Sequence, residues 1–425
     1  MKKVLIISYY FPPMGMGGVQ RTLKFAKYLL EHDWQPVVIT ISPRKYFAID
    51  EFLLAEALES GIIIERTSRK PLDVSQIVTR IPKERLRRIR SRISQFFFIP
   101  DSKILWKRKA IKKINEIWEK YGGFEIVYAT APPYTDFLIG QEVKRKYKIP
   151  LVVDYRDAWV DSPVLNFYPT PFHKSANMKR ERKVLKDANI VLTTNRRVKE
   201  MIISRYGNIE YNDVKIFTHG YDSEDFEQAL LKRLPLTNKM RFTYSGSFYT
   251  RNPKFYFNSI KLLLTSHPEL KDKVEFLFLG LFTKEYLKYA KKLGIIGSLN
   301  LPGYVNHGEC VKYILASDVL FLLISRGENE DAALPGKVGE YIGSRKNIIA
   351  CIPDGVTKKL LSKYNAIKFV PDEDPTKIAN AMYEYYKLWD ANKMPEANKD
   401  MVNKYDRKNM TIELARELNY LLDVE

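Results

Sequence analysis

The chain has 425 residues, with 70 Lys and Arg against 50 Asp and Glu, a formal net charge of +20, and an aliphatic and aromatic share of 45%. That length accommodates two cores of ordinary size, and the apolar content excludes a disordered or fibrous class. The only two cysteines, Cys310 and Cys351, lack metal-ligand spacing, so a zinc site is not expected and a reducing compartment is.

The opening Met1-Lys2-Lys3 with Val4-Leu5-Ile6-Ile7 imitates a signal peptide, but the apolar part is short and Pro12 and Pro13 follow, so it reads as a first core strand. Strand patterns at 4–8, 36–41 and 61–64 enclose a helix at 21–31. After a basic insertion at about 80–113 come strands at 126–130, 151–154 and 190–194, with a helix at 134–147. A charged stretch, 222–239, reads as a linker. A second alternating series places strands at 241–246, 274–280, 299–303, 319–324 and 348–352, and 401–425 reads as a closing helix with Ile412, Leu414, Leu418, Leu421 and Leu422 on one face. Alternation of this kind predicts an α/β chain of two doubly wound, Rossmann-like domains, 1–221 and 240–400, around a cleft. No run of 18 apolar residues occurs, so no spanning helix is expected and the protein is placed in the cytoplasm.

Two segments carry chemistry. In Tyr9 to Arg21 the glycines Gly15, Gly17 and Gly18 follow the first strand and open a helix, which lets amides approach a phosphate or a sugar. Their spacing fits neither a dinucleotide fingerprint nor a triphosphate loop, and a simple tight turn accounts for them equally. In Pro335-Gly336-Lys337-Val338-Gly339-Glu340 a cation and a carboxylate stand three positions apart where a helix begins, between two buried strands. That pair suits a nucleotide diphosphate and its ribose; alternatively Glu340 merely pairs with Lys337 on an exposed turn.

Taken together, these segments make the chain resemble the family-4 glycosyltransferases of the GT-B fold. The likeness also rests on Phe124 to Pro133, on Ile149 to Trp159, on Asp187 to Thr194 with His219-Gly220-Tyr221-Asp222, and on Gly303-Tyr304-Val305 and Ala316-Ser317-Asp318-Val319. The resemblance implies transfer of a sugar from a nucleotide diphosphate sugar to a saccharide or lipid-linked acceptor in cell-surface polysaccharide synthesis, with retention, no metal and no cofactor. It implies that the second domain holds the donor, with Glu340 on the ribose. Gly336, Gly246, Ser247 and Lys254 are expected around the nucleotide, and Gly17 and Gly18 over the phosphates. Lys337 and Arg251 are the expected stabilisers of the leaving diphosphate, because negative charge builds there as the anomeric bond breaks. Asp157 would orient or deprotonate an acceptor hydroxyl, or else pair with Arg156 or cap a helix. Arg21, Tyr134, Arg156 and Trp159 are expected on the acceptor side, with Asp154 and Thr135 beside them.

The chain departs from the family pattern in two places. The glutamate expected eight positions before Glu340, with seven residues between them, falls on Ala332, with Asp331 beside it, which leaves the donor sugar open. Ser247 and Asn252 stand where an arginine and a lysine are usual, with Arg251 and Lys254 nearby.

Between Arg80 and Lys113 thirteen basic residues meet only Glu84 and Asp101, a local +11, and Leu86, Ile89, Ile93, Phe96 and Phe97 recur at helical spacing. An anionic bilayer suits that pattern, as does a solvated helix packed on its own domain. Nucleic acid is a weaker alternative, since the charge is confined to one insertion. A nucleotide-sugar epimerase of the same fold is a further one. Of the histidines, His219 and His307 fall on expected loops, while His32, His173 and His267 read as surface residues.

Overall fold

A computed structural model describes the chain except residues 47, 69, 78–83, 162–167, 208, 233, 235–236, 247, 249–252, 325–328, 372–373 and 425; of 84–88 and 424 it describes the backbone alone. Two compact units result, Met1–Thr218 with Arg407–Glu425, and His219–Asp406.

The first unit is a sheet of seven parallel strands: β1 (Lys2–Ile7), β2 (Trp34–Thr40), β3 (Ile63–Arg66), β4 (Ile126–Ala131), β5 (Leu151–Tyr155), β6 (Ile190–Thr193) and β7 (Val214–Ile216), in the order β3-β2-β1-β4-β5-β6-β7. Strands β1 and β4 are buried along most or all of their length, which is why they read as continuous apolar runs rather than as alternations. The order reverses between β1 and β4, and in open α/β sheets ligands gather beyond the strand ends at that point. The last helix, Arg407–Val424, belongs to this unit and buries Leu414 and Leu418 in its core, as the closing-helix pattern predicts.

The second unit is a six-stranded parallel sheet: β8 (Met240–Ser245), β9 (Val274–Leu279), β10 (Leu299–Gly303), β11 (Val319–Leu323), β12 (Asn347–Cys351) and β13 (Ile367–Phe369), in the order β10-β9-β8-β11-β12-β13. Its reversal lies between β8 and β11. The stretch expected as a linker instead opens with a helix, Ser223–Leu231, which buries Phe226 and Ala229 in the core of this unit. Only Phe226 and Ala229 supply its buried apolar face, beside a buried Asp225, which hides the helix from a compositional reading.

One buried pair organises the carboxyl end of the first sheet. Arg21, on helix Gly17–Leu29, donates from Nε to Asp154 Oδ2 at 3.0 Å and from Nη2 to Oδ1 at 2.8 Å, and its Nη1 donates to the Thr218 carbonyl at 2.8 Å. The Thr130 hydroxyl donates to the same carboxylate at 3.0 Å, so β4, β5, the first helix and the end of the unit meet at one point. Burial alone would raise the Asp154 carboxyl, but the Arg21 charge and its hydrogen bonds outweigh burial and hold it below the usual range. The associated stability is therefore present at neutral pH and lost as pH falls through the lowered value. Arg21→Met should cost about 3–5 kcal/mol in urea unfolding, because a buried carboxylate is left alone. Adding Asp154→Leu to the same chain should restore much of that loss; a single-variant cost below about 1 kcal/mol would reduce the pair to the weight of a surface contact.

Candidate functional site

In the second unit the residues singled out from the sequence converge on the reversal point. Strand β8 ends at Ser245, and Gly246 follows with φ +112°, a conformation that favours glycine. Helix Lys337–Ser344 starts opposite. The Lys337 ammonium donates to the Ser245 carbonyl at 2.6 Å and lies 3.8 Å from the centre of the Tyr244 ring, a cation–π position. One turn further, the Tyr341 hydroxyl accepts from the Ser245 amide at 3.1 Å and donates to the Phe321 carbonyl at 3.3 Å, so it spans the two strands between which the order reverses. Close packing sets the helix in place: a Cβ on Gly339 would stand 2.5 Å from the Gly220 backbone, and one on Gly343 would stand 2.3 Å from the Tyr221 ring.

Glu340 points elsewhere than to Lys337, and the exposed-turn alternative does not hold. It is 8% exposed, and its Oε1 lies 3.6 Å from His307 Nδ1. His307 in turn meets Asp225 Oδ2 through Nε2 at 2.8 Å. His307 is the first residue of helix His307–Leu315, and Asp225 sits in the first turn of helix Ser223–Leu231. The imidazole hydrogen-bonds Asp225 and stands beside Glu340 at an ion-pair distance that is too long for a hydrogen bond. Sequence reasoning placed His307 on a loop and missed Asp225, since 82 residues separate the pair and no local pattern joins them.

Other expected donor residues fall differently. Gly336 directly precedes the helix. The Lys254 ammonium, 3.7 Å from Glu285 and 5.5 Å from the Tyr289 ring, is engaged by the neighbouring helix. Arg251, Ser247 and Asn252 lie outside the described residues. Ala332 is buried, whereas Asp331 beside it is half-buried, its backbone close against Gly355.

Several expected acceptor residues of the first unit are structural. Arg21 is 1% exposed and spends its guanidinium on Asp154 and Thr218, which removes it, and Asp154 with it, from any ligand surface. Tyr134 is fully buried, donates to the Ala158 carbonyl at 2.6 Å and stacks on Trp159 at 4.8 Å. Trp159 donates from its indole to Asn177 at 3.0 Å. Both rings are therefore held in the core, where each also borders a small cavity of about 110 Å³. The Thr135 hydroxyl donates to Asp101 at 2.8 Å. Arg156 is buried and donates to the carbonyls of Ala131, Pro132 and Gly18, which ties the glycine loop to the ends of β4 and β5. A Cβ on Gly18 would lie 2.7 Å from that guanidinium, so the close approach explains this glycine; Gly17 has open space around its Cβ position. Asp157 remains half-buried, with burial pushing its carboxyl up and Arg156 pulling it down. His173, expected at the surface, is buried between Thr170 and the Phe96 carbonyl.

The basic stretch divides in two. Helix Lys107–Tyr121 buries Ala110, Ile114 and Ile117 in the first unit and turns its lysines outward. On helix Glu84–Phe97 the apolar side chains of Ile89, Ile93, Phe96 and Phe97 are exposed, Phe97 by 71%. Phe172, equally exposed at 71%, joins them through His173: the rings of Phe96 and Phe172 lie 5.4 and 5.8 Å from the imidazole. Arg85, Leu86, Arg87 and Arg88 have side chains outside the described residues. Among the described residues no helix is long and apolar enough to cross a membrane.

No family model and no curated protein matches the chain. Solved structures do. Sucrose-phosphate synthase from Thermosynechococcus elongatus is 14% identical with a TM-score of 0.68, each chain covered completely. HepE from Anabaena, determined with UDP and glucose, is 14% identical with a TM-score of 0.63 over 99% of this chain and 100% of its own. A UDP-GlcNAc 2-epimerase from Neisseria meningitidis, bound to UDP-GlcNAc, is 13% identical with a TM-score of 0.58 over 98% and 100%. With two Rossmann-like units in one chain and these neighbours over its full length, the chain has the GT-B fold.

Proposed function

We propose that the chain is a glycosyltransferase that moves a sugar from a nucleotide diphosphate sugar to a saccharide or lipid-linked acceptor. The observation that carries this reading is the buried Glu340, 3.6 Å from the His307 imidazole that Asp225 holds, one turn from Lys337 at the strand reversal of the second unit. A carboxylate held in this way accepts protons from ribose hydroxyls, and an ammonium at the start of the same helix meets the diphosphate. In the transfer, the anomeric carbon loses its bond to the diphosphate oxygen and gains one to the acceptor oxygen. The acceptor proton passes to the leaving phosphate. Lys337 stabilises charge that develops on the departing phosphate, so its contribution is larger in the transition state than in the ground state. Retention of configuration and independence of metal are part of the same proposal, carried by the family resemblance.

The epimerase reading is favoured by a specific likeness, to the UDP-GlcNAc 2-epimerase structure, and it predicts turnover of the donor without an acceptor. Thermal shift against a panel of UDP-, GDP- and dTDP-sugars identifies the base, because a ligand bound only by the folded chain raises the melting temperature by mass action. Product analysis with and without added saccharide then separates transfer from epimerisation.

Glu340→Gln should weaken nucleotide diphosphate binding about 10- to 100-fold, the weight of a hydrogen bond to a charged group, while leaving the fold intact. Calorimetry checks it, and unchanged affinity removes Glu340 from the site. Lys337→Met should lower kcat about 10²- to 10³-fold with a smaller effect on donor affinity; an unaltered turnover rejects its leaving-group role.

The exposed Ile89, Ile93, Phe96, Phe97 and Phe172, with Arg90 and Arg92 among them, fit peripheral docking on an anionic bilayer, where each basic residue contributes about 1 kcal/mol. Replacing Phe97 and Phe172 together by Ser should reduce flotation with phosphatidylglycerol vesicles and leave soluble-acceptor turnover unchanged. Equal flotation of variant and parent counts against the aromatic patch as the anchor.

A further inference from the structure

At the carboxyl ends of β1, β2 and β3 the first unit has a cavity of about 440 Å³, within the range of small-molecule sites. Its composition is unusual in two respects. One wall is aromatic: the Tyr9 ring meets Tyr10 edge-on at 4.9 Å and Trp106 at 5.2 Å, and Tyr10 meets Tyr46 at 6.2 Å. The Trp106 indole is held by a hydrogen bond from its N–H to the Thr67 hydroxyl at 3.0 Å, so the platform is fixed. The remaining wall is cationic, with Lys103, Lys109, Arg44 and Lys45, and no carboxylate lines it among the described residues.

The carboxyls nearest Tyr9 do little to cancel that charge. Asp136 lies fully buried, with Oδ2 accepting from the Tyr9 amide at 2.8 Å and its other oxygen without a partner among the described residues. Asp101 is occupied by the amide and hydroxyl of Thr135. Burial pushes both carboxyls up, toward the neutral form. Lys103 stands 5.1 Å from the centre of the Tyr9 ring, an ammonium at the edge of an aromatic surface, where burial makes a counter-charge more valuable than in open solvent.

Aromatic rings pack against the C–H faces of sugars, and clustered lysines and arginines bind carboxylates and phosphates. We propose that this cavity binds a sugar carrying an anionic group, a carboxylate or a phosphate, with the ring on the Tyr9–Trp106 wall and the anion on Lys103 and Lys109. The proposal rests on the reading of the chain as a glycosyltransferase and names the class of its acceptor: an acidic sugar residue, or a sugar whose phosphate is the link to a carrier.

The test uses the full chain and the indole N–H signal of Trp106, identified among five tryptophans by its loss in Trp106→Phe. Methyl glucuronide, glucose 1-phosphate and neutral methyl glucoside are titrated separately. At least one charged sugar should shift the Trp106 signal with an affinity about tenfold or more above that of the glucoside, the weight of a charge-assisted contact. The stronger of the two charged probes tells an acidic sugar from a sugar phosphate. Lys103→Met with Lys109→Met should bring charged and neutral sugars to the same affinity while the free-state Trp106 signal stays in place. Equal shifts by glucoside and charged sugars, no shift by any of the three, or an unchanged charged-sugar affinity in the double variant would overturn the proposal. Stabilisation by UDP, measured on the same samples, reports the second unit separately, so failure of the donor reading and failure of this cavity are told apart.

Discussion

A parallel sheet ends at its carboxyl edge with amides and carbonyls that no further strand can satisfy, and both units are built around how those groups are tied. In the first, the Asp154 carboxylate gathers Arg21 and Thr130, and Arg156 collects three carbonyls from the ends of neighbouring segments. In the second, Tyr341 and Lys337 from one helix close the end of β8 on amide and carbonyl alike. Side chains that satisfy these groups rigidify the strand ends, and rigid ends are what allow loops beyond them to hold a ligand.

The two solutions differ in what they leave for chemistry. The Arg21–Asp154 pair is bidentate and shut off from solvent, so its charge is spent on the fold. Lys337 is only half-buried, and its ammonium meets a backbone carbonyl and an aromatic face. Glu340 shares its surroundings with a histidine instead of the adjacent lysine, although three residues on a helix place Lys337 and Glu340 within reach of each other. In the proposed reading, this separation is what lets one charge serve the phosphates and the other the ribose.

The parallel architecture was legible because buried strands such as residues 319–323 and 347–351 are continuous apolar runs spaced by helical patterns, and the cation–carboxylate motif was legible because both residues belong to one helix turn. What escaped depends on distant partners. Arg21 finds Asp154 across 133 residues, and Trp159 finds Asn177 across 18, so a polar or aromatic residue near a strand end reads as a ligand contact until its partner is known. His173 erred in the other direction, a polar ring taken as exposed that is buried by hydrogen bonds on both nitrogens. The linker misreading has a similar origin, since only two buried apolar positions, Phe226 and Ala229, mark a helix of nine within a stretch rich in charge.

The uneven charge of the chain also acquires a physical division of labour. Most lysines on helix Lys107–Tyr121 belong to a solvated face over a well-packed stripe, where Lys107, Lys113 and Lys120 pair with Glu142 and Glu65, while Lys109 faces the aromatic cavity. The exposed phenylalanines near helix Glu84–Phe97 add an apolar component that long-range charge lacks. Lys103 differs from both because it stands against an aromatic wall with its nearest carboxyl drawn away by Thr135. A solvated basic face, an exposed apolar patch and a cation held against an aromatic wall are thus three different arrangements in neighbouring stretches of the chain. Only the last has the geometry to discriminate between molecules of equal charge, because the sugar ring must fit the wall before the anion can reach the ammonium.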